Sequence, residues 1–75
     1  MSAGQHQDPR LIYMANQIAR AFAAEGEERA VVATAEHLKK FWDPRMRARI
    51  LTLFQAGQGE FLPVTRRALE QLSKS

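Results

Sequence analysis

Few residues in this chain are of types that do chemistry, and their spacing is poor for it. Its histidines, His6 and His37, stand far apart, and there is no cysteine. Disulfides, thiolate zinc sites and cysteine-ligated iron–sulfur clusters are therefore excluded, and no carboxylate stands at ligand spacing around either histidine. Glu36 beside His37 does not make a zinc-protease motif, which needs two histidines four apart around the glutamate. Ser2, Ser73 and Ser75 lie at the termini, and Thr34, Thr52 and Thr65 fall in helical patterns without a base or an oxyanion site in view. Gly57 and Gly59 form a connector, not a phosphate loop. No catalytic, cofactor-binding or metal-ligating residue is expected.

One stretch does stand out chemically. HLKKFWDPRMR, from His37 to Arg47, gathers Lys39, Lys40, Arg45 and Arg47, with Arg49 just beyond, around Phe41-Trp42 and Asp43-Pro44. The lysines complement the carboxyl end of a helix, and the aromatic pair is expected in the core. The arginines occupy the first turns of the next helix, where the dipole is positive and each exposed cation costs about 0.3–1 kcal/mol. Asp43 can neutralise one of them. Such a cluster implies that something negative meets it, either phosphate or a carboxylate-bearing protein surface.

The elements that position this corner follow from hydrophobic periodicity. Asp8-Pro9 reads as an N-cap with proline at the first helical position, after a flexible arm over residues 1–7. Leu11, Met14, Ala15, Ile18, Ala19 and Phe22 then form one apolar stripe, and Gly26 ends that helix. Val31, Ala35, Leu38 and Trp42 form a second stripe between acidic Glu27-Glu28 and basic Lys39-Lys40, each charge suiting its end of the helix dipole. Asp43-Pro44 repeats the cap-and-proline device, and Met46, Ile50, Leu53 and Phe54 point inward from a third helix. A flexible connector at 57–62 leads to Pro63 and a fourth helix through Ala68, Leu69 and Leu72, with no capping side chain before it. The prediction is an all-α bundle of three to four short helices, over about 9–24, 28–42, 44–56 and 63–73, forming a single small domain over 1–75.

A chain of 75 residues buries only about 60% of its unfolded surface, so it needs a tight core or a partner. Ile12, Tyr13 and Val32 lie off the main stripes, so an apolar patch rimmed by arginine is expected, as at protein interfaces. The longest apolar run, Ala30–Ala35, is far too short to span a membrane, and the start of the chain has no secretory pattern. A soluble, cytoplasmic protein is expected. The formal charge of +3 is mild for a protein living on phosphate contacts. The third helix offers only Thr52 and Gln55 as base readers besides its arginines, which weighs against a helix-turn-helix DNA binder.

LIYMANQIARAFAA (Leu11–Ala24) and AEHLKKFWDPRMRARIL (Ala35–Leu51) together resemble the delta subunit of NAD-dependent, molybdenum-containing formate dehydrogenases. The matching segments are Met14–Ala19, Ala35–Arg47, Gly57-Gln58-Gly59 and Leu62-Pro63, within a resemblance running from about residue 10 to 70. The connector GQGEFLP departs from the family's Gly-Gly version ending in Leu-Asp/Ser-Pro, so the resemblance leaves the start of the last helix open. It implies an accessory subunit without a cofactor of its own, bound to the catalytic subunit of a complex. Other subunits of that complex would carry the molybdenum cofactor, iron–sulfur clusters, FMN and the NAD site. The expected docking residues are Arg45, Arg47, Arg49, Lys39, Lys40, Tyr13 and Asn16, and Phe41, Trp42, Asp43, Pro44 and Met46 form the structural corner. A transient helper in molybdenum-cofactor insertion and a small basic nucleic-acid-binding regulator are the alternatives.

Overall fold

A computed structural model describes the backbone of residues 3–74 and the side chains from Asp8 onward. Four α-helices follow one another: α1 (Ala3–Phe22), α2 (Glu27–Phe41), α3 (Pro44–Gln55) and α4 (Pro63–Lys74), with a short 3-10 turn, Ala23–Glu25, between the first two. The described residues contain no strand. The all-α prediction holds, and the last three helices begin and end within a residue of the expected bounds.

The start of α1 differs. Its backbone is helical from Ala3, so Pro9 lies inside the helix and Asp8 is not its N-cap. The described part of the expected arm is therefore helix, while residues 1–2 and the side chain of His6 lie outside what is described. Pro9 has no N–H for the carbonyl four residues back, an internal position where proline costs roughly 3 kcal/mol. Freed from capping, the Asp8 carboxylate does something else, described below.

The core comes from the predicted stripes. Leu11, Ala15 and Ala19 of α1, Val31, Ala35 and Leu38 of α2, Trp42 at the corner, and Ile50 and Leu53 of α3 are buried, closed over by Ala68, Leu69 and Leu72 of α4. Met14, Ile18, Met46 and Phe54 pack half-buried around them. Arg67 of α4 pairs with Glu27 (2.6 Å) and Glu28 (2.9 Å) at the start of α2. Further along, Gln71 and Leu72 share a cleft with Ala35 and Lys39, so α2 and α4 run in the same sense. Thr34 and Thr65 are fully buried with hydroxyls that find no partner. Each such group costs about 1–3 kcal/mol, so some helix contact is bought at the expense of unpaired polarity.

Two local devices shape the surface described next. The end of α3 is closed by bonds from Gly57 N–H to the Phe54 carbonyl (3.1 Å) and from Gln58 N–H to the Leu53 carbonyl (2.9 Å), with Gly57 at φ +73°. That is the paired C-terminal closure in which glycine supplies the left-handed residue. The start of α4 lacks a capping side chain, and the Leu62 carbonyl accepts from Arg66 N–H at 2.9 Å. Leu62 itself is fixed from a distance, by α1.

Candidate docking surfaces and family membership

The corner between α2 and α3 is built as the sequence implies on one side only. The Asp43 carboxylate accepts from Met46 N–H at 3.0 Å and caps α3, with Pro44 at its first position. Trp42 leaves helical geometry (φ −84°, ψ 140°), and its indole, 5% exposed, sits in the core. Phe41 corrects the expectation that both aromatics are core: it is 73% exposed. The reason is geometric. The inward stripe of α2 runs through Leu38 to Trp42, and the break at Trp42 swings the indole inward while Phe41 stays on the outer face. There its ring lies 4.9 Å from that of His37, which in turn meets the edge of Phe22 at 6.4 Å.

The arginines separate just as clearly. Arg47 turns back on the end of α2, its Nη1 donating to the Lys39 carbonyl (3.0 Å) and to the Trp42 carbonyl. A guanidinium here satisfies carbonyls that a helix end leaves open, and its charge suits the negative end of the dipole. Arg49 reaches α1, where it grips Asp8 bidentately at 2.8 and 2.5 Å. Those hydrogen bonds hold the Asp8 carboxyl below its ordinary pKa and raise that of Arg49. The negative groups that meet these two arginines are thus supplied within the chain. Arg45, Lys39 and Lys40 are exposed, and no ion pair among the described residues engages them.

Asp8 also helps to build a groove. An open depression of about 460 Å³ lies between α1, α3 and the connector, lined by Asp8, Pro9, Ile12, Tyr13, Leu53 and Gly59 among others. Tyr13 is 64% exposed on its rim. Asn16, one turn further along α1, fastens the opposite wall: its Nδ2 donates to the Glu60 carbonyl (3.0 Å), and its Oδ1 accepts from Leu62 N–H (3.1 Å). The connector expected to be flexible is therefore tied down at both of these residues. Gly59 completes the wall at φ +92°, and a Cβ there would run into the Ile12 side chain.

Of the expected docking residues, Tyr13 and Asn16 belong to this groove, with Arg49 behind it through Asp8. Lys39, Lys40 and Arg45 sit at the α2–α3 corner, and Arg47 is spent on the end of α2. Sequence reasoning missed Asp8, Ile12 and Gly59 as one assembly. A signal for Ile12 existed, since it stands off the α1 stripe, whereas nothing local marks Asp8 as the partner of Arg49. Among the described residues no group of three or more His, Cys, Asp or Glu side chains could hold a metal, and no helix is long and apolar enough to cross a membrane.

The described residues thus form a short four-helix chain with open, partly apolar surface depressions. The family described as NADH-dependant formate dehydrogenase delta subunit FdsD matches residues 10–69. The chain belongs to that family, the delta subunits of NADH-dependent formate dehydrogenases. No curated protein and no solved structure matches it.

Proposed function

We propose that this chain is a non-catalytic accessory subunit that binds the catalytic subunit of an NAD-dependent formate dehydrogenase and supports its assembly or stability. The observation that carries the reading is the groove between α1, α3 and the connector. Its shape is set by the Asn16 bonds and by the close approach of Gly59 to Ile12, and it offers Tyr13 and apolar wall atoms to a partner. A surface whose form is fixed before binding loses little entropy on docking, and aromatic anchors in such grooves tend to dominate interface energy. Arg45, Lys39 and Lys40 add a basic rim that would favour an acidic surface on the partner. In this reading the molybdenum cofactor, iron–sulfur clusters, FMN and NAD site belong to the other subunits, and the partner is a cytoplasmic protein, neither nucleic acid nor membrane.

Co-expression with a tagged catalytic subunit tests it. The wild-type chain is expected to co-purify at fixed stoichiometry, and Tyr13→Glu to lower its retention about tenfold, as loss of an interface anchor does. Lys39→Glu with Lys40→Glu and Arg45→Glu should weaken retention mainly at low salt. A chain absent from the purified, active complex would instead mark a transient maturation helper. Undiminished retention of Tyr13→Glu would remove the groove from the interface.

A further inference from the structure

The outer face of α2, opposite the core, carries a pattern that the groove does not. Two shallow depressions run end to end along it and share Ala33 and Glu36. The first, about 400 Å³, is lined by Glu25, Glu28, Arg29 and Val32 as well; the second, about 250 Å³, by Phe22, His37, Lys40 and Phe41. Arg29, Val32, Ala33, Glu36 and Lys40 stand three, four, seven and eleven residues on from the first, one continuous helical stripe. Val32 is 46% exposed, which is unusual company for the still more exposed Phe41 on a short helix with its other face buried.

We infer that this face pairs with the same face of a second copy of the chain, the two α2 helices lying antiparallel about a two-fold axis. The charges commit to that occupant. A two-fold interface presents one patch to itself, so every residue must suit its opposite number. Laid antiparallel with Val32 facing Ala33 of the second copy, Arg29 falls opposite Glu36, and Lys40 comes to the end of the second copy's helix where Glu25 lines the same depression from the preceding turn, each pairing occurring twice. Small side chains at the centre, Val32 and Ala33, let helices approach to the usual packing distance of about 8–10 Å. Glu28 is already held by Arg67 and is not required. A parallel arrangement would set like charges together, which helix surfaces disfavour.

The contact is small. A single helix pair buries less than the roughly 1,200 Å² at which stable complexes begin, so the dimer is weak and reversible. It lies away from the groove proposed for the catalytic subunit and shares with that reading only Lys40 of the basic rim.

Sedimentation equilibrium of the full chain tests it. Wild type is expected to show a monomer–dimer equilibrium that shifts toward monomer as salt rises. Two variants sharpen the test: an all-acidic face, Arg29→Glu with Lys40→Glu, and an all-basic face, Glu25→Lys with Glu36→Lys. Each alone should associate at least about tenfold more weakly than wild type, because each pairing becomes repulsive. Mixed one to one, the two should form a heterodimer, and far-ultraviolet spectra of both should remain helical. A wild type that stays monomeric up to about 1 mM overturns the inference, as does a mixture that fails to pair. If the wild type is monomeric and Glu25→Lys with Glu36→Lys, which leaves Lys40 intact, loses retention on the catalytic subunit instead, the face belongs to that partner.

Discussion

The groove on α1 and the outer face of α2 are both partly apolar and open, yet they are made differently. The groove is held by long-range fastenings: Asn16 to Glu60 and Leu62, Arg49 to Asp8, and Gly59 against Ile12. The α2 face has none of these. It is mainly the surface of one helix, flanked by Phe22 and Glu25 from the segment before it, with most of its charges directed at solvent. The corner HLKKFWDPRMR repeats the contrast within a few residues, since Trp42 and Arg47 are built into the fold while Phe41 and Arg45 are left outside it. A surface that residues distant in sequence must assemble is sensitive to single changes at its fastenings. A single-helix face tolerates them until a partner arrives.

The largest effect should separate the two aromatics. Trp42→Ala is expected to cost about 3–5 kcal/mol of stability, as loss of a buried indole does, while Phe41→Ala stays within about 0.5 kcal/mol. Denaturant unfolding followed by circular dichroism measures both, because Trp42 is the only tryptophan and its fluorescence disappears with it. Similar costs for the two would mean that Phe41 is covered in solution, as self-pairing at high concentration would also produce.

Next come the arginines. Arg47→Ala removes charge-assisted bonds to two carbonyls at the end of α2 and should cost about 1.5–3 kcal/mol. Arg45→Ala should be neutral or favourable by about 0.3 kcal/mol, since it removes a cation from the positive end of α3. Arg47→Glu should be worse than Arg47→Ala, because it sets an acid against the α2 carbonyls. If the two alanine variants melt alike, Arg47 does not cap α2.

The groove and the helix face should also differ at their small residues. Gly59→Ala places a side chain at φ +92° and against Ile12, and should cost about 1–3 kcal/mol from backbone strain alone. Val32→Ala should stay within about 0.5 kcal/mol for the isolated monomer. A Gly59→Ala variant as stable as wild type would show that the connector is not pinned against α1.

The smallest effect is in pH. Asp8 is lowered in the folded chain by its hydrogen bonds to Arg49. Its contribution is therefore fully present above the unfolded value near about 3.9 and is lost as pH falls through the lower folded value. The difference in melting temperature between wild type and Asp8→Asn should shrink over that acidic window and be absent below it. A carboxyl titration by NMR that leaves Asp8 at its ordinary value would break the pairing.

Local pattern was enough for much of this protein. The apolar stripes determine four helices and most of the core, because helical period and burial are the same information for a chain that has one side to hide. Asp43-Pro44 determines the corner, because its cap reaches only three residues on. The motif strings carried the family as well. What the sequence alone did not decide was which members of a charged or aromatic cluster face inward. Phe41 and Trp42 are adjacent aromatics, and although Trp42 alone continues the stripe, only the packed helices show that Phe41 is left outside. Arg45, Arg47 and Arg49 look equivalent as a string, but Arg47 has helix-end carbonyls within reach and Arg49 has Asp8, 41 positions away. Asp8 reads as a cap because proline follows it; the tertiary structure extends α1 past it and gives its charge to α3. Thr34 and Thr65 likewise look like tolerable helix polarity until α2 and α4 close over them. Spacing along a chain determines which residues share a face, whereas partners tens of residues apart are chosen only when helices pack.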